Sequence, residues 1–112
     1  MKKKLFQNYD FEFNKNEKKL ISSFCKQALK QMENDKQFFA EAKAFNSIHD
    51  KINSESDRIK LTKDEKTRLT HNIKQNIDSI EKQMKGSFFI KKWLMKSLYN
   101  QYLSLYNEHL KG

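Results

Sequence analysis

The side chains best equipped for chemistry are few, and their spacing does not serve it. His49, His71 and His109 are the only histidines. None stands at the His-x-x-x-His spacing that puts two imidazoles on one helical face, and Cys25 is the sole cysteine, so a zinc site lacks ligands. His49 falls on an apolar helical face and reads as a satisfied core or edge residue, His71 as a solvent-side residue, and His109 as part of a fraying tail. Cys25 stands among Ile21, Phe24 and Leu29, the setting of a buried structural thiol, whereas reactive thiols need an accessible, electropositive one. Asp64 and Glu65 sit at a helix start, where acids match the dipole; Glu55 and Asp57 sit in a polar loop. Gly86 and Gly112 are the only glycines, too few for a phosphate-cradling loop. The chain is therefore expected to have no catalytic residue, no metal and no cofactor.

Two constellations point instead to binding. The first spans residues 82–96, where Lys82, Lys85, Lys91, Lys92 and Lys96 occur without an acid, beside Phe88, Phe89 and Trp93. Lysines interleaved with exposed aromatics suit a phosphate backbone or an anionic surface. The alternative is a solvated lysine face, with Trp93 covering one end of a bundle. The second is the stripe Met95, Tyr99, Tyr102, Tyr106 and Leu110, adjoining Leu94, Leu98 and Leu105. One helix rarely buries so wide a face in its own bundle, and tyrosine is amphipathic and frequent at interfaces. The stripe reads either as a surface for a protein partner or a second copy of the chain, or as core tyrosines with wet hydroxyls.

The elements that must position these groups follow from periodicity. Tyr9, Phe11 and Phe13 alternate with Asp10 and Glu12, an extended segment over 9–13, after a basic arm at 1–8. Asn14 stands three before Glu17, a capping-box spacing. Leu20, Ile21, Phe24, Cys25, Ala28, Leu29 and Met32 then mark the inner face of a first helix, ended by Asn34 and Asp35. A second helix from about 36 to 53 turns Phe38, Phe39, Ala42, Phe45, Ile48, His49 and Ile52 inward. Ile59 and Leu61 begin another extended piece, over 59–61, and Thr62 with Glu65 forms a full capping box for a third helix. That helix carries the narrow stripe Leu69, Ile73, Ile77, Ile80 and Met84 and stops at Gly86 and Ser87; a fourth runs from about Phe88 to Leu110.

A shift of 48 residues lays Phe11, Phe13, Asn14 and Glu17 on Ile59, Leu61, Thr62 and Glu65, and at a shift of 50 Phe38 and Phe39 fall on Phe88 and Phe89. Residues 9–53 and 59–112 thus read as two half-repeats around a loop at 54–58, within a single domain. The expected fold is all-α: a four-helix bundle of two repeated αα-hairpins, whose extended segments can pair. The absence of proline and the aromatic content support a helical chain with a compact, phenylalanine-rich core.

The net charge is +9, and of the 23 basic residues only Arg58 and Arg68 are arginine. Lysine is a mobile point charge without the planar fork that reads base edges, so the charge favours non-specific attraction to nucleic acid over base readout. The start Met1-Lys-Lys-Lys-Leu-Phe resembles the basic end of a signal peptide, but Gln7, Asn8 and Asp10 interrupt the apolar stretch that must follow. No apolar run reaches a membrane span, and one cysteine permits no internal disulfide. The expectation is a small, basic, cytoplasmic, non-catalytic binding or regulatory protein. It is either a nucleic-acid-associated accessory protein, or a protein-interaction module or homodimer using the aromatic face of the last helix.

Overall fold

The structure, a computed structural model, describes residues 8–56, 58–86 and 89–111, and the side chains of all of these except Asn8 and 89–91. Residues 1–7 of the basic arm expected over 1–8, Asp57, Ser87, Phe88 and the side chains of Phe89 and Lys91 lie outside it. In chain order the elements are strand β1 (Asn8–Phe11), helix α1 (Lys15–Met32), a 3-10 turn (Lys36–Phe38), helix α2 (Phe39–Ile52), strand β2 (Ile59–Thr62), helix α3 (Lys63–Lys85), helix α4 (Phe89–Leu105) and a π-type turn (Tyr106–Leu110). The expected all-α fold of four helices is what the chain forms, with one two-stranded ribbon added. The chain divides into two compact units, residues 1–68 and 69–112, and the boundary falls within α3.

In the first unit the two extended segments pair antiparallel, with Tyr9 opposite Leu61 and Phe11 opposite Ile59. A lone two-stranded ribbon is marginal in water, so burial must hold it. Phe11, Phe13, Ile59 and Leu61 are all buried, and the Phe11 and Phe13 rings stack with centroids 5.1 Å apart. The first strand is shorter than the expected 9–13: pairing ends at Phe11, and Phe13 is buried without belonging to the ladder. Lys66 Nζ lies 4.8 Å from the centre of the Tyr9 ring, covering the one half-exposed aromatic of the ribbon.

Both expected caps are present. Asn14 Oδ1 accepts from the Glu17 amide at 2.8 Å, and Glu17 Oε1 accepts from the Asn14 amide at 2.9 Å. Thr62 and Glu65 repeat the exchange at 3.1 and 2.9 Å. Helix α1 ends before Asn34, whose φ of 68° is the left-handed conformation that asparagine tolerates. Its buried face, Ile21, Phe24 and Cys25, meets Phe45 of α2, the Phe24 and Phe45 rings packing edge to face at 6.1 Å.

The second helix departs from expectation at its start. Asp35 caps a 3-10 turn, the α-helix begins only at Phe39, and the buried face is Ala44, Phe45, Ile48 and Ile52. Phe38 and Phe39 are exposed instead of inward, Phe39 by 73%. Phe39 stands six residues before Phe45, about 120° away around the helix, so the two cannot share a face. In the second unit Leu69, Ile73, Ile77 and Ile80 are buried at the expected spacing and Met84 is half-buried. Here, among the described residues of the last helical stretch, Tyr102, Leu105 and Leu110 are buried.

Candidate functional site

The end of α3 and the first half of α4 form an open groove of about 330 Å³ in the second unit. Lys85 enters it from the last turn of α3, and Lys92 and Lys96 from one face of α4, where four residues make roughly one turn. Met84 and Tyr99, both half-buried, add apolar surface, and Glu81 is the only acid on the lining. Trp93, next to Lys92 and three before Lys96, is 70% exposed. From Lys82 to Asn107 the sequence holds no acid at all, so the cations here face little internal neutralisation.

The structure thus brings together three of the five lysines singled out from the sequence. Lys82 is exposed but does not line the groove, and the Lys91 side chain is among those not described. Lysine ammonium groups around an apolar floor attract phosphate as point charges, and the indole offers a π-face for a base.

The tyrosine stripe is not one exposed surface. Tyr102 and Leu110 are buried, at 3% and 1% exposure, which corrects their assignment to a partner interface. Tyr102 is buried within the regular helix; for Leu110 the cause is local, since after Leu105 the helix widens into a π-type turn, closed by the Lys111 amide on the Tyr106 carbonyl at 2.7 Å, and this shift in register turns Leu110 inward. Met95, Tyr99 and Tyr106 are half-buried; Tyr99 belongs to the lysine groove, and Lys74 Nζ lies 6.0 Å from the Tyr106 ring centre. Among the described side chains of α4, the exposed large apolar ones are Trp93, Leu94 and Leu98.

The chemical candidates also find their places. Cys25 is fully buried, and burial pushes its thiol up to about 12. His71 is exposed, as expected. His49 is half-buried and its Nε2 is buried with no hydrogen-bond partner among the described residues, so it is not the satisfied imidazole expected; it sits one helical turn from each of Phe45 and Ile52, both buried. His109 is half-buried in the π-type turn beside buried Leu110, not in a fraying tail.

Two features escaped sequence reasoning. Glu65, read only as a cap, is 6% exposed and also accepts from Ser47 Oγ at 2.5 Å and Lys51 Nζ at 2.6 Å. Burial alone raises its carboxyl, but the Lys51 ammonium, the Ser47 hydroxyl and the Thr62 amide outweigh it and hold the group below the usual carboxylate range. Arg68 reaches Glu41 and Asp64. These bonds tie the first turns of α3 to α2, which is why the unit boundary lies beyond Arg68 and not in the loop at 54–58. The second missed feature is a cleft of about 470 Å³ in the first unit, lined by Lys15, Lys18, Lys19 and Lys26 of α1. Its signal was the spacing of those lysines, all within about a third of the helix circumference.

No family model, curated protein or solved structure matches this chain. Among the described residues no helix is long and apolar enough to cross a membrane.

Proposed function

We propose that the chain is a non-catalytic binding protein that holds nucleic acid through its phosphate backbone, without reading base sequence, in the groove between α3 and α4. The observation that carries this reading is the convergence of Lys85, Lys92 and Lys96 on one groove beside the exposed indole of Trp93. Neither arginine belongs to the groove, so its charged contacts are point charges; the exposed Trp93, next to Lys92 in sequence, is a stacking face outside the groove lining.

The test is fluorescence polarisation of labelled duplex DNA titrated at several salt concentrations. Each lysine–phosphate contact contributes about 0.9 to the slope of log affinity against log salt. Lys92→Glu with Lys96→Glu removes two contacts, so the slope should shallow by about 1.8 and binding weaken uniformly across sequences. Trp93 is the only tryptophan, and its emission should be quenched on binding as bases stack. No binding at low salt, or binding indifferent to the charge reversal, refutes the reading.

A second reading rests on a different observation: Trp93, Leu94 and Leu98 are exposed together on α4. Exposed apolar groups of this kind suit a protein partner or a second copy of the chain. In that case Leu94→Ser with Leu98→Ser lowers the mass found by light scattering at high protein concentration, while DNA affinity is unaffected.

A further inference from the structure

The first unit carries a basic surface that the reading above does not use. Lys15, Lys18, Lys19 and Lys26 line one cleft between α1 and the end of α2, with Ser22 and Ser23 between them and Ile52 as apolar floor. Among the described residues no acid lines it, and Lys15, Lys19 and Lys26 have no carboxylate partner. Of the acids flanking the first turn of α1, Glu12 pairs with Arg58 and Glu17 accepts from the Asn14 amide.

The spacing is electrostatically unfavourable for a bare helix. Lys15 has Lys18 and Lys19 as its neighbours one turn on, and Lys26 has Lys30. Like charges at these separations destabilise a helix, and cations in its first turns oppose the dipole. An ordinary solvated face relieves such strain with acids one turn away, but within α1 the residues at those positions are Lys, Ser, Asn or apolar. An anion in the cleft relieves both terms at once.

The polar groups are arranged to donate. Lys18 Nζ is held by the Ser56 carbonyl at 2.8 Å, which fixes its position and leaves its other protons available. Asn53 Nδ2 donates to the His49 carbonyl at 2.8 Å, covering the negative end of α2, and to Ser22 Oγ at 3.4 Å. Ser22 Oγ is therefore an acceptor from Asn53, which orders the hydroxyl at the wall of the cleft. From Lys15 to Lys26 the helix rises about 17 Å, with lysines roughly a turn or two apart, which matches an anion with charges in series better than a single carboxylate.

We propose that this cleft is a second anion site, taking successive phosphoryl groups of a linear polyanion: the backbone of a nucleic acid or a free oligophosphate. The proposal rests on the preceding reading only for nucleic acid as one of the two sources. The test titrates the ¹⁵N-labelled full chain, in separate arms, with sodium tripolyphosphate and with a short duplex DNA, following backbone amides. Saturable shifts at Ser22, Ser23 and Asn53 are expected. They should vanish for tripolyphosphate in Lys19→Gln/Lys26→Gln, whose fold is checked by circular dichroism. For DNA, loss of two contacts at about 0.9 each predicts weaker binding with a log affinity–log salt slope shallower by about 1.8. Shifts with tripolyphosphate alone identify free oligophosphate as the ligand; shifts with DNA identify the backbone. If neither ligand moves these amides, or the shifts survive the double substitution, the proposal is overturned. Shifts here with none over 81–100 sink the α3–α4 groove and leave the cleft standing; shifts over 81–100 alone do the opposite.

Discussion

Glu65→Ala should cost far more than the loss of an exposed surface acid. In the native chain the carboxylate is 6% exposed and accepts from Ser47, Lys51 and the Thr62 amide at 2.5, 2.6 and 2.9 Å. Losing a helix cap costs about 0.5–2 kcal/mol, and hydrogen bonds to a charged group contribute about 1.5–3 kcal/mol each. The Lys51 side chain is 36% exposed and rehydrates when its partner is removed, so its share must be discounted. The net loss is about 3 kcal/mol, or roughly 10–20 °C in melting temperature for a domain of this size. The charge can be separated from the shape by Glu65→Gln followed through pH. The folded carboxyl lies below its unfolded value of about 4.3, so its contribution is fully present above that pH and is lost as pH falls through the folded value. Wild type should therefore melt well above the glutamine variant at pH 7, and the two should converge towards pH 3. The assay is circular dichroism melting at half-unit pH steps. Parallel melting of the two proteins from pH 7 to 3, or an alanine variant within about 2 °C of wild type, would refute the account of Glu65 as the tie between α2 and α3.

Three further outcomes follow from burial. Cys25, with its thiol pushed up to about 12, should be inert to a disulfide reagent at pH 8 in the native protein and react as soon as guanidinium unfolds it; stoichiometric labelling of the native chain would contradict that burial. Because the unfolded thiol loses its proton first, near 8.5, the same shift predicts that stability declines as pH rises above that value. Phe13→Ala, at a site 5% exposed, should cost about 3–5 kcal/mol by thermal melting, and an unchanged melt would make the entry segment a tail.

Local rules made most of the fold legible. Both capping boxes are exchanges within four residues, and a spacing of three between Asn14 and Glu17, or Thr62 and Glu65, is enough to write them down. The ribbon was legible because Phe11 with Phe13, and Ile59 with Leu61, alternate where the flanking residues do not. What periodicity missed was a change of helical pitch. A 3-10 turn over Lys36–Phe38 takes Phe38 out of the register that would set it above Phe45, and a π-type turn after Leu105 shifts Leu110 inward, against a reading that assumed one uniform helix; Phe39 faces out by the ordinary period of α2 itself.

The candidate sites divide along a similar line. The lysines of 82–96 stood out because they crowd one acid-free stretch of chain, and the structure confines the groove to three of them. The lysines of α1 are diluted by the buried face between them: Ile21, Phe24 and Cys25 interrupt the run, and Glu17 lowers the local charge. Only when residues are projected around the helix do Lys15, Lys19, Ser22 and Lys26 gather on one side. Glu65 was hidden for a third reason. Its cap partner is three residues away, but Ser47 and Lys51 come from another helix, 18 and 14 residues earlier. Nothing in the spacing within α3 marks a carboxylate that will be buried against α2. A charge run is visible in one dimension, a charged face needs the helical period, and a buried ion pair needs the packing of two helices. The order in which these three features became legible is the order in which those constraints accumulate.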